Sequence, residues 1–304
     1  MPHTNTLDSI ANQGWDKRIL VCRNGGLVDT FIIVTARYVV LIDTVINPTT
    51  ARAVLTYARP YLVKGRQLLV VNTHADYDHA WGNQIFASPQ AEYPAPIIAT
   101  HLCAAQFQTA EAAASLQQRQ SQEPTIFGEV ILTPPTILFD DQLLIDGGDL
   151  TLVLFATPGH TPDHLAIYIP EIETLLAADG AELPFPMART VDGLPTMRRS
   201  LAQMAALNPK TVLYCHAPVT IGPQLIADNI AYFDQLEAHC RAALAQGIPA
   251  DPVIEVDVAA LIDFPFDKAV PAGAYANFLN EHHRTAWHPQ QIRMMLTYLS
   301  SDVY

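Results

Sequence analysis

Apolar residues fall in short bounded runs along most of the chain, and the runs alternate between strand and helix character. Residues 28–35 and 38–43 are β-rich with a short connection between them, the pattern of a hairpin. Residues 49–62 read as a helix, and the apolar strand 67–72 follows. A helix is expected to begin within 79–86, a short strand at 96–99, and a helix at 101–120, where Ala and Gln dominate. The stretch 121–135 holds three prolines and reads as irregular. A second set of strands is expected at 137–139, 142–145, 150–156, 165–169 and 174–178, with Asp146-Gly147-Gly148-Asp149 as a turn between two of them. A helix at 195–207, a strand at 211–214 and a long helix at 224–246 complete the pattern. Sheet-rich and helix-rich stretches alternate twice, which predicts two sheets packed together with helices outside.

Composition narrows the setting. A chain of 304 residues, half of them apolar and 15% charged, has the material for a large core and is globular. The formal charge of −13 argues against nucleic acid as a partner, since phosphate contacts need clustered Lys and Arg. No uninterrupted apolar stretch reaches the length of a membrane span, so no membrane partner is expected. The first residues have no basic region followed by an apolar one, and Cys22, Cys103, Cys215 and Cys240 form no C-x-x-C pair. A reduced, cytoplasmic location and a small-molecule substrate are the expectation.

Candidate chemistry concentrates where strands end. His74, Asp76, Asp78 and His79 lie within six residues, directly after the apolar run 68–71. A polar turn with helix-capping aspartates is the plain alternative. Four metal-capable side chains at one strand exit favour a metal site, and imidazole with carboxylate suits zinc, iron or manganese. His160 follows the strand 150–156, Asp179 the run 175–178, and His216 the strand 211–214. Three further candidates in the same placement reinforce the first four.

Together these motifs resemble the metallo-β-lactamase-fold hydrolase superfamily, whose signature is Thr-His-x-His-x-Asp-His, then a Gly-His turn, a lone Asp and a last His. The resemblance runs over residues 28–218, with Gly82-Asn83 and Thr157-Pro158-Gly159-His160-Thr161 strengthening it. It implies an α+β fold, a four-layer αβ/βα sandwich with the metals at one sheet edge. Residues 1–250 would form that domain, and 251–304 a mostly helical C-terminal extension packing on it. The resemblance also implies two divalent metal ions, one held by His74, Asp76 and His160, the other by Asp78, His79 and His216, with Asp179 between them. A hydroxide shared by the metals would be the nucleophile, oriented by the catalytic Asp78. Asp43 resembles a family position that braces the site without binding metal. Hydrolysis of an ester, lactone or thioester is the implied reaction.

Asp76 departs from the family, most of whose members carry a second histidine there. An Asp oxygen lies as many bonds from Cα as a histidine Nδ1, so the carboxylate reaches the same place. Its charge removes one unit of positive charge and shifts preference towards harder metals such as iron or manganese. Alternatively, one site is weakened and a single metal is firmly held. Flavodiiron oxidoreductases of this superfamily carry Glu there and use iron, so an iron-dependent redox enzyme is the second reading, although no room is left after the core for a flavodoxin-like domain. A binding protein with residual metal is a third, against which the complete ligand set counts. His101 lies on a loop that in the family runs near the site, and its roles divide between substrate contact and helix capping. Tyr275, His282 and Phe278 are placed near substrate by a C-terminal segment expected to close one side of the pocket. His164 reads as a supporting group, Cys215 as a small buried filler, and 275–298, with His283 and His288, as a packing helix.

Overall fold

The computed structural model describes residues 3–89, 91–254, 256–270 and 273–301. Among them are twelve strands: β1 (Leu7–Ile10), β2 (Ile19–Asn24), β3 (Val28–Val34), β4 (Tyr38–Ile42), β5 (Gln67–Val71), β6 (Ile97–Thr100), β7 (Ile137–Phe139), β8 (Gln142–Asp146), β9 (Thr151–Ala156), β10 (Leu165–Ile169), β11 (Thr174–Ala178) and β12 (Thr211–Tyr214). The helices are α1 (Pro48–Ala58), α2 (Tyr77–Ala80), α3 (Gln84–Ala87), α4 (His101–Gln106), α5 (Ala110–Gln122), α6 (Pro124–Phe127), α7 (Gly193–Ala206), α8 (Gln224–Ala245), α9 (Val258–Leu261), α10 (Phe266–Ala269) and α11 (His288–Ser301). The class is α+β, as expected. The chain divides into two compact units, the first formed by 1–156, 163–178 and 210–220, the second by 157–162, 179–209 and 221–304.

Both sheets belong to the first unit. One has seven strands in the order β1 to β7, the other five in the order β12-β11-β10-β9-β8. Pairing in the larger sheet is antiparallel from β1 to β4 and parallel from β4 to β7. The long apolar runs match their setting: β3 and β4 are buried almost throughout, which suits strands covered on both faces. A continuous core takes Val40 and Val70 from the first sheet and Leu152, Leu154 and Ile167 from the second. Helix α1 connects β4 to β5. Asn47 caps it by accepting from Thr50 N, Pro48 fits its first turn, and Ala51, Val54, Leu55 and Ala58 form its buried face. The parallel register pairs Ile42 with Val71, so β4 and β5 end side by side.

Several expectations need correction. Strands β1 and β2 precede the first predicted element. The helix expected at 79–86 is two short helices, α2 and α3, and that at 101–120 breaks between α4 and α5, where Thr109 accepts from Ala112 N and starts a new helix. The irregular stretch 121–135 contains the short α6.

The second unit is built on α8, against which α7 and α11 pack. Phe185 stacks on Tyr232 with ring centroids 3.9 Å apart. His288 is fully buried beside them: its Nδ1 accepts from the Tyr232 hydroxyl at 3.0 Å, and its Nε2–H donates to Phe264 O at 2.7 Å. The expected helix at 275–298 is in fact α11, preceded by a wider turn at His283–Trp287. Burial holds the His288 pKa below its usual value and that of His283 at about 4. The unfolded chain therefore binds these protons more readily. Stability is fully present above about pH 6.5, the usual histidine value, and declines as pH falls towards the folded-state values. Thermal unfolding of chelated protein should show this decline, and His288→Gln should flatten its slope. Parallel slopes in parent and variant would show that His288 exchanges no proton on unfolding.

Candidate metal centre

The first unit gathers five of the expected ligands, and Asp43 organises two of them, His79 directly and His74 through Thr73. Chain direction at the end of β4 changes at Asp43, which adopts φ 67° and is buried. Its carboxylate accepts from Thr73 N and from the Thr73 hydroxyl, both at 2.8 Å, and from His79 Nδ1 at 2.8 Å. Because the Thr73 hydroxyl donates to Asp43, it is left to accept from His74 Nδ1, 3.0 Å away. His216 Nδ1 donates to Leu27 O at 2.8 Å, in the turn between β2 and β3. Each of the three imidazoles thus carries its proton on Nδ1, which leaves the Nε2 lone pair for a cation. Asp78 Oδ2 lies 3.5 Å from His216 Nε2 and 4.0 Å from His79 Nε2, and Asp76 Oδ2 lies 3.5 Å from His74 Nε2. Asp76 stands at the start of α2 without capping it through its side chain. Tyr77, between the two aspartates, is partly buried beneath the Arg119 guanidinium, 3.4 Å from the ring centre, and lies edge-on to Trp81 and Phe127. Burial pushes its phenol pKa up.

The second unit holds the other two. His160 Nε2 is 3.6 Å from Asp179 Oδ2, and both side chains are almost wholly buried. Two neighbours were not singled out by the sequence reading. Glu182 Oε1 lies 3.4 Å from His160 Nδ1, and Arg189 Nη2 is 3.3 Å from Nε2. The only sequence signal for Glu182 is a lone carboxylate in the apolar run 181–186, fixed here by paired hydrogen bonds between its backbone and the Asn229 amide. Gly159, which precedes His160, has φ 146°, and a Cβ there would stand 2.4 Å from Met197 Cα in α7. Gly159→Ala is expected to cost about 2 kcal/mol or more, from overpacking combined with backbone strain. Denaturant unfolding measures it, and a loss below about 0.5 kcal/mol, the ordinary surface range, would contradict the argument.

The stretch that carries these residues, 23–216, is matched by a family model, the metallo-beta-lactamase superfamily. The chain belongs to the metallo-β-lactamase superfamily. Among curated relatives, a hydroxyacylglutathione hydrolase from Saccharophagus degradans is 25% identical over 205 residues, which cover 66% of this chain and 63% of the relative. The chain thus matches less than two thirds of that relative's length. A beta-lactamase domain protein from Burkholderia ambifaria has a similar structure, with TM-score 0.65 and 16% identity, covering 97% of this chain and 88% of that one. A metallo-beta-lactamase family protein from Thermus thermophilus gives 0.59 and 19%, covering 90% and 89%. These two likenesses show the fold.

The donors present fit the cations of a metallo-β-lactamase site. Metal–ligand bonds near 2.0–2.2 Å at tetrahedral angles place donor atoms about 3.3–3.6 Å apart. The 3.5 Å separation between Asp78 and His216 falls in that range and the 4.0 Å between Asp78 and His79 lies just above it. The three groups offer donor atoms all within 4.8 Å of one another. A second group, Asp43, His79 and Cys215, also lies within that distance, but Asp43 takes the Nδ1 side of His79, which fits bracing. His164 is buried with its ring centroid 5.2 Å from that of His74. His101 is exposed at the first position of α4, where Thr100 is the cap. Tyr275 is partly buried, Phe278 exposed, and His282 exposed with its ring 5.9 Å from Trp287. Among the described residues no helix is long and apolar enough to cross a membrane.

Proposed function

We propose that the chain is a metal-dependent hydrolase of small acyl compounds, with a thioester as the preferred substrate class. The observation that supports it most is the convergence of Asp78, His79 and His216, with both histidines held by Nδ1 so that Nε2 faces the carboxylate. In the family's order, His74, Asp76 and His160 would hold one cation and Asp78, His79 and His216 the other, with Asp179 as a further ligand. Zinc, iron or manganese bound there would acidify a water near neutral pH and polarise the scissile carbonyl. Asp78 would also orient the attacking water through its carboxylate. Asp43 holds the His79 ring and, through Thr73, the His74 ring, so neither turns during the reaction. Water oxygen bonds to the acyl carbon, the carbon–sulfur bond breaks, and the thiol leaves with a proton. The thioester is favoured over ester and lactone by the relative named as a hydroxyacylglutathione hydrolase.

The test is a panel of S-acylglutathione, aryl ester, lactone and phosphodiester substrates, assayed with native, chelated and metal-restored protein. Acyl hydrolysis that disappears on chelation and returns with metal is expected. Metal-replete protein that hydrolyses none of the acyl substrates would sink the proposal. A second reading, an iron-dependent redox enzyme, is favoured by the Asp76 carboxylate beside His74 Nε2. It predicts iron in protein purified without added metal, and oxygen consumption with a reductant.

A further inference from the structure

The loop that carries His74 and Asp76 is hydrogen-bonded on two sides. Asp43 holds it from β4 through Thr73. From the other side, Thr73 O accepts from Leu165 N at 2.9 Å, and Ala75 N donates to Asp163 Oδ2 at 2.8 Å. Residues 73 and 75 thus meet 165 and 163 with the alternation of an antiparallel ladder, in which the Asp163 carboxylate stands in for a backbone carbonyl. Asp163 is almost wholly buried, and it is itself held in place. Its carbonyl accepts from the Thr100 hydroxyl at 3.0 Å, and Thr100 caps α4 by accepting from Cys103 N. The buried Cys103 thiol lies beside the Asp163 carboxylate. Burial, reinforced by that charge, pushes its pKa well up, so it stays protonated and able to donate.

Ala75 is the residue between the two ligands of one arm. A charge-assisted bond to its N–H fixes the peptide planes on which the His74 and Asp76 side chains depend. The Asp76 carboxylate has a short stem and reaches a cation only from a narrow range of backbone positions. We propose that Asp163 is a positioning residue for the His74–Asp76 arm, acting through the Ala75 N–H, and that it determines how firmly that arm holds its metal. The proposal rests on the metal reading above. It assigns to the acidic residue three positions after His160 a role distinct from that of Asp43, which serves His79 as well as His74.

The experiment measures zinc stoichiometry and chelator-competition affinity in the full chain for Asp163→Ala, Asp163→Asn and Asp76→Ala, and for Asp163→Ala combined with Asp76→Ala. Asp163→Ala is expected to weaken one zinc ion by about 10- to 100-fold, the usual range for a group supporting a ligand, and to leave the other near its parent affinity. Asp163→Asn keeps an oxygen for the Ala75 N–H and should recover most of the loss. In the Asp76→Ala background, Asp163→Ala should add little, because the arm it supports no longer binds. Parent affinity at both sites in Asp163→Ala would overturn the proposal. So would equal loss of both ions, an Asn variant no better than Ala, or full additivity with Asp76→Ala. A parent protein that binds no zinc, iron or manganese would instead overturn the metal reading, and this inference with it.

Discussion

Asp78→Asn is expected to lower kcat by about 10²–10⁴-fold, the range for loss of a positioned acid–base group, with a much smaller change in KM. Asn has nearly the same shape as Asp, so packing around the buried side chain should be preserved. It carries no charge, however, and its oxygen is a poor proton acceptor. The carboxylate stands 3.5 Å from His216 Nε2 and 4.0 Å from His79 Nε2, so its role as ligand and its role in orienting water are inseparable in the native chain. Assaying the variant with metal in excess separates them. Restored stoichiometry with kcat still depressed assigns the loss to the water. Recovery of kcat with added metal would show that Asp78 acts as a ligand only.

Asp76 should give the second large effect. Asp76→Ala is expected to empty or weaken one site, while His216→Ala chiefly weakens the other. Asp76→His should hold two metals again and add one unit of positive charge, shifting preference from iron or manganese towards zinc. A more positive pair of cations favours ionised water, so the acidic limb of the pH–rate profile should move to lower pH. Metal analysis and pH–rate profiles of the three variants are the measurement. If both Asp76 variants keep the parent's stoichiometry and profile, Asp76 plays no part in metal binding and the redox reading loses its main support.

Most of the sheet pattern was legible because buried strands are written as bounded apolar runs, and the candidate ligands because each stands just past such a run. Strand β1 was not legible: Leu-Asp-Ser-Ile buries only Leu7 and carries no period. Strand β2 ends in Arg23 and Asn24 before two glycines, which resembles a turn. In the structure Arg23 pairs with the buried Asp29 across the hairpin, and Asn24 amide hydrogens donate to Thr4 O and Thr6 O. The break between α4 and α5 lay hidden in an Ala- and Gln-rich stretch whose composition is uniform across it. Glu182, Arg189 and Asp163 were missed for a different reason. A single charged residue has no spacing to read, and its importance comes from partners that only tertiary structure brings near.

The alignment of Ile42 with Val71 is set by the ladder between β4 and β5, and the connection through α1 has no part in it. Lengthening or shortening the segment after α1 leaves the Asp43 carboxylate within reach of Thr73, because closing a somewhat longer loop costs little and the ladder stays in register. Drift in the length of that crossover is therefore chemically silent. A one-residue slip between the strands would carry the brace away from both histidines together. Evolution or a designer can remodel the solvent side of this connection freely, while the two strand ends must change as one unit or not at all.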